Sequence, residues 1–207
     1  MTSKPSTDSG LDIERELTRI YNSLNKEFWN NELPEVIITF APTKGALGHL
    51  TGWCAWKSGD QGKIELNISA LTLNRSPNEI VGTVLHEQCH LYAYLHDIRD
   101  TSNAGRHHNK KFKQIAESHG LIVETKKNDY HGYAHTYLTE EAKRFVKKIK
   151  VKEFKFNRIP HANSANSHPL KKMVCPNWCS TYAYVSTPQL LLCGICESPL
   201  VVFENKK

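Results

Sequence analysis

Long apolar runs are missing from this chain: nowhere do about 20 apolar residues, the length that crosses a bilayer, follow one another. Its first residues, MTSKPSTDSGLD, also lack the apolar core of a secretory signal. The expected setting is therefore a reducing one, the cytoplasm or its nucleoid, with no membrane partner. Acids are scarce in one region. Between Lys143 and Lys172 a single acidic residue, Glu153, stands among ten lysines and arginines. That imbalance excludes an ordinary mixed-charge surface and points to a polyanionic partner such as DNA. Disorder as a whole is excluded, because 39% of the 207 residues are hydrophobic and only 23% charged. The length suits one main domain with a small appendage.

Residues 1–10 are polar and read as a disordered lead-in. From Leu11 to Phe28 apolar residues recur every three or four positions, which predicts an amphipathic helix. VIITF (Val36 to Phe40), HLTGWCAW and KIELNIS read as strands of a small antiparallel sheet, the last two joined by the turn SGDQG. Ser76 as N-cap, Pro77 at the first helical position and Glu79 three residues after the cap start a second helix that runs to about Asp97. KKFKQIAESHGL and TEEAKRFVKKIK predict two more helices. The fold expected is α+β: a main domain over 11–155, a basic linker over 156–172 and a small appended module over 173–207.

The second helix contains HEQCH. His86 and His90, one turn apart, project side by side, so their ring nitrogens can meet one ion at about 2.0–2.1 Å. Glu87 is rotated off that axis and can instead take a proton from water, the role its place in H-E-x-x-H gives it. An open catalytic zinc uses three protein ligands. No thermolysin-type glutamate lies nearby, and the spacing is too long for H-E-x-x-H-x-x-G-x-x-H. A downstream histidine remains, and the chemistry alone leaves both His107 and His108 open. NDYHGYAHTYL adds Tyr130, His131, Tyr133 and His135 as candidate donors to an oxyanion.

CPNWC and CGIC place Cys175 and Cys179 in one short-spaced pair and Cys193 and Cys196 in another, the pattern of a ribbon closing a structural zinc. Two zinc ions per chain are expected. Cys54 and Cys89 read as core or near-core thiols, and His96 as an ordinary hydrogen-bonded residue.

Over roughly residues 13–140 the chain resembles the SprT-like zinc metallopeptidases, which include the DNA-repair protease Spartan. LNKEFWNNELP, IELNISAL, VLHEQCHLYAYL and HNKKF carry the likeness. It implies a zincin-like fold and a third ligand four residues before an aromatic. His108 stands so before Phe112, with Asn109 where the family has glycine. It also implies a protein-cutting enzyme working at DNA. Lys147, Lys148, Lys152, Lys155, Arg158 and Trp178 are the expected nucleic-acid contacts, with single strands preferred and Phe145, Phe154, Phe156, Tyr182 and Tyr184 available for stacking. The rivals are a silent zinc-ribbon nucleic-acid-binding protein and a peptidase recruited by protein partners alone.

Overall fold

The computed structural model describes residues 9–124, 130–155, 157–159 and 170–203. Most of the expected lead-in, Phe156 and most of the expected linker lie outside them. Two compact units divide the chain, Met1–Ile159 and Pro160–Lys207.

The first helix, α1 (Gly10–Phe28), starts earlier than periodicity alone predicts, because Ser9 and Asp12 form a reciprocal capping box. Its stripe of Ile13, Leu17, Ile20, Tyr21 and Leu24 is buried. Then come β1 (Ile37–Thr39), β2 (Gly48–Leu50), the small hairpin of β3 (Trp56–Ser58) and β4 (Gln61–Lys63), and β5 (Glu65–Ile68). The expected antiparallel sheet is mixed: β5 is central, antiparallel to β2 but parallel to β1. The reason lies in the connection. Parallel pairing needs a long crossover, and the chain between β1 and β5, which includes β2 and the β3–β4 hairpin, is long enough to provide it. Cys54, expected near the core, is exposed, while Cys89 is buried.

The histidine helix, α2 (Pro77–Leu95), carries the full predicted start signal, with Ser76 and Glu79 bonded reciprocally. Its burial is not one-sided. Ile80, Val84 and Leu91 are buried as expected, but so are Glu87, Gln88 and Cys89, whereas Leu95 is exposed. Elements pack against α2 from several directions, so it behaves as a central helix. Gln88 is satisfied inside: its carboxamide bonds Trp29 Nε1 and the Tyr21 carbonyl.

A two-residue ladder of β6 (Thr101–Ser102) and β7 (His107–His108) leads into α3 (Lys110–Ser118). The antiparallel pair of β8 (Leu121–Val123) and β9 (Thr136–Leu138) follows. After α4 (Glu140–Ile149) the chain does not leave the domain. Lys152 N–H donates to buried Glu16, Arg158 N–H donates to the Ala70 carbonyl, and Phe154 joins the core. Phe145 is likewise core. These two phenylalanines, expected to stack on bases, are occupied in packing.

In the second unit, β10 (Lys171–Val174) pairs with β11 (Tyr182–Val185) and β12 (Val201–Val202). Lys171 and Lys172, read with the linker, open β10.

Candidate metal centre and its cleft

His86 and His90 come from α2, His108 from β7. Their Nε2 atoms form a nearly regular triangle: 3.3 Å from His86 to His90, 3.2 Å from His86 to His108 and 3.0 Å from His90 to His108. Tetrahedral ligands at about 2.0–2.1 Å from zinc stand about 3.3 Å from each other, and three aligned imidazole lone pairs repel unless a cation lies between them. The donor set therefore fits a divalent metal and leaves one position open. Burial, together with the neighbouring imidazoles, holds His86 well below the usual histidine range and His108 down to about 4, so both rings stay neutral and ligand-ready.

The rings are held from behind. Nδ1 of His90 lies 2.5 Å from Asp100 Oδ2, and Nδ1 of His86 lies 3.1 Å from Thr136 Oγ1. Burial works against a charge on His90, but the Asp100 hydrogen bond and the Glu87 and Asp100 charges prevail and raise it. Beneath all three sits Phe112, fully buried, with its ring centre 4.6–4.8 Å from each imidazole. The spacing of His108 and Phe112 thus has a structural cause: one short helix supplies the floor and the strand before it the ligand. Asn109 replaces the family glycine without strain, since its φ is −97° and its side chain caps α3 by accepting from Lys111 and Phe112 N–H.

The structure also separates the two candidate third ligands. His107 faces Ser102 and Gly132, outside the triangle. His108 is gripped by main chain: its N–H donates to the His131 carbonyl, and its carbonyl accepts from Tyr133 N–H. Gly132 lies between at φ +64°, where an added Cβ would fall 2.2 Å from the His108 carbonyl. Only glycine fits there.

Glu87 is buried beside the triangle, and burial pushes its carboxyl up to about 7, offset in part by the His90 charge and by the Leu50 N–H, which donates to it. Leu50 is on β2. That strand lies against α2 because residue 48 is glycine: a Cβ there would meet the Asn67 carbonyl and Thr83 Cγ2 at 2.9 Å and Glu87 Oε1 at 3.2 Å. The site opens into a cleft of about 1290 Å³ walled by Leu47, Leu50, Tyr94, Ile122 and Leu138 among others. Of the four expected oxyanion donors, His131 and His135 line this cleft and Tyr130 and Tyr133 do not; Tyr137, which sequence reading passed over, does. Asp100 and Thr136 were also missed. Thr136 acts across 50 residues, and Asp100, although only 10 residues from His90, lies past the end of α2 where helical spacing no longer applies.

In the second unit the four Sγ atoms of Cys175, Cys179, Cys193 and Cys196 lie within 4.8 Å of one another, an arrangement that fits a zinc ribbon. Two knuckle turns bring them together. Trp178 N–H donates to the Cys175 carbonyl and Glu197 N–H to that of Cys193. The extra residue of the first pair is taken up by Trp178 in the left-handed region, at φ 59°. The Ser198 main chain, helped by Asn177, holds the Cys196 thiol down to about 5. Lys147, Lys148, Lys152, Lys155, Arg158 and Trp178 are exposed.

No helix among the described residues is long and apolar enough to cross a membrane. Comparison with curated proteins gives no match, and neither does comparison with solved structures. The model of the SprT-like family matches residues 17–131. That span contains all three histidines and Glu87 and ends before Gly132. It covers more than half of the 207 residues, and the chain belongs to the SprT-like family, whose members are metallopeptidase-like.

Proposed function

We propose that this protein is a zinc-dependent endopeptidase that cuts protein chains held at DNA, as in DNA–protein crosslinks. The observation that carries the proposal is the triangle of Nε2 atoms with a buried carboxylate beside it, at the floor of an open cleft. When bound, zinc would supply the Lewis acidity that activates a water and polarises the scissile carbonyl. Glu87, steadied by the Leu50 N–H, takes the proton and passes it to the departing amine. Donors that steady the negative oxygen come from His131, His135 or Tyr137 on the cleft wall. The four cysteines hold a second, structural zinc.

The DNA half of the proposal is supported by Lys147, Lys148, Lys152, Lys155 and Arg158, all exposed. Trp178, Tyr182 and Tyr184 are exposed on the ribbon and available to stack on the bases of a single strand. A reducing compartment that contains DNA, the cytoplasm or nucleoid, suits six cysteines of which none is in a disulfide.

The test incubates zinc-loaded wild type and Glu87→Gln with histone, with and without single-stranded DNA. We expect the wild type alone to cut, faster with DNA, while Glu87→Gln keeps its zinc. A wild type that cuts nothing would overturn the peptidase and favour the silent nucleic-acid-binding protein. Cutting indifferent to DNA, with no salt-sensitive DNA binding, would favour recruitment by protein partners.

A further inference from the structure

Residues 131–136 touch two of the three metal-binding histidines, yet all but the first lie beyond the span that identifies the family. His131 and Tyr133 bracket His108 through the main chain, making a bridge between His108 and Gly132. Three residues on, Thr136 reaches His86 Nδ1 through its hydroxyl. The two contacts come from one short segment and act on ligands from different elements, α2 and β7.

Each contact has a definite physical job. A ring that offers Nε2 to a metal carries its proton on Nδ1. For His86 that N–H donates to Thr136 Oγ1 and so fixes both the tautomer and the rotation of the ring. For His108, Nδ1 is buried with no partner at full hydrogen-bonding geometry among the described residues, and the backbone group that acts on its ring is that of His131. Its ring has no side-chain tether, and its aim depends on the backbone that carries it, on the His131 main chain and on the Phe112 beneath it. That backbone is set by the close approach of Gly132. The glycine allows the segment to lie against β7, and its left-handed conformation turns both the His131 carbonyl and the Tyr133 N–H onto His108.

We propose that residues 131–136 are a strap that aims His86 and His108 at the metal, with Thr136 and Gly132 as its positioning residues. The inference rests on the metal-centre reading above, and its test reads metal affinity rather than cleavage, so the two can fail separately. The segment also lends His131, Ala134, His135 and Thr136 to the cleft wall. Whatever sits in the cleft therefore presses on the same strap that aims the ligands.

The full chain is titrated with zinc against a fluorescent chelator at fixed pH. The histidine site is the step lost in His90→Ala, which separates it from the ribbon. Thr136→Val keeps the shape of the side chain but leaves the His86 N–H without an acceptor, and should weaken that step about tenfold, within the range seen when such outer partners are removed. Thr136→Ser restores the acceptor and should bind within about threefold of wild type. Gly132→Ala should weaken the step by at least as much as Thr136→Val. Should Gly132→Ala fail to fold, judged by circular dichroism, the Thr136 pair decides alone. Zinc affinity within about twofold of wild type in Thr136→Val, or in a folded Gly132→Ala, would overturn the strap, as would a Thr136→Ser as weak as the valine variant.

Discussion

Replacing Gly48 by alanine should damage catalysis while leaving the metal in place. The new Cβ would stand 2.9 Å from the Asn67 carbonyl and from Thr83 Cγ2, and 3.2 Å from Glu87 Oε1. Two of these neighbours cannot swing aside, because the Asn67 carbonyl belongs to β5 and Thr83 is fixed by bonds to Arg75 and to the Glu79 carbonyl. The strand β2 must retreat from α2 by roughly half an ångström to restore normal contact, at a cost of about 1–3 kcal/mol of overpacking. Leu50 moves with it, so the N–H that steadies Glu87 lengthens or is lost, and a charge-assisted bond of about 1.5–3 kcal/mol weakens. A displaced general base of this kind lowers kcat by roughly tenfold to a hundredfold. The hydrogen bonds and ring contacts of the three imidazoles go to Asp100, Thr136, Phe112 and one another and not to β2, so zinc affinity should change by less than about threefold. The assay pairs thermal denaturation and chelator competition with single-turnover cleavage. Gly52→Ala is the control, since Gly52 lines the same cleft with nothing within 4 Å of an added Cβ. A Gly48→Ala protein with wild-type melting temperature and turnover, or one whose loss matches Gly52→Ala, would refute the argument that this glycine seats β2 on Glu87.

Asp100→Asn removes the charge behind His90 and should weaken zinc at the histidine site by about tenfold, read by the same competition. Glu16 accepts from Arg19 Nε and Nη2 and from Lys152 N–H, and although burial opposes its charge these bonds hold its carboxyl below the usual range. Its contribution, about 1–2 kcal/mol after allowing for the half-exposed Arg19, should be complete above about pH 4.5. It should be lost as pH falls through the lower folded value, so urea midpoints of wild type and Glu16→Gln should converge in acid. Truncation after Ile159 removes the ribbon but spares Phe154 and Arg158. It should halve the zinc content and, by removing the stacking of Trp178, Tyr182 and Tyr184, weaken single-strand binding, while the log–log salt slope stays near about −3, the value for about four phosphate contacts, because the five proposed cations remain. A flattened slope would move the phosphate contacts onto the ribbon.

What could be read from sequence follows the range of the forces involved. The start of α2 is written in Ser76, Pro77 and Glu79, because a helix N-terminus is satisfied by residues within one turn. His86, Glu87 and His90 share that helix, so their relative placement follows from its geometry. His108 was reached only through resemblance, with His107 equally plausible by chemistry, because choosing between them requires the grip of His131 and Tyr133, which are remote in sequence. Thr136 and Gly48 were illegible for the same reason, and Asp100 because it follows the turn that ends α2, where helical spacing no longer applies. The basic segment misled in a different way. Its interleaved phenylalanines suggest base stacking, but Phe145 and Phe154 are core residues, and Glu16, far away on α1, accepts from Lys152 N–H.

The shared floor under the three imidazoles means that they cannot be altered one at a time. A change at Phe112 reaches every ligand at once through contacts of 4.6–4.8 Å, and a change at one ligand shifts the ring on which the other two rest. Substitutions at the four positions should therefore combine non-additively, with coupling energies of about 0.5–3 kcal/mol. An engineer who wishes to exchange zinc for a metal of different size cannot do so by swapping a single histidine. The unit of redesign is α3 and its preceding strand as a whole, because that piece of chain carries both a ligand and the surface on which the other ligands are levelled.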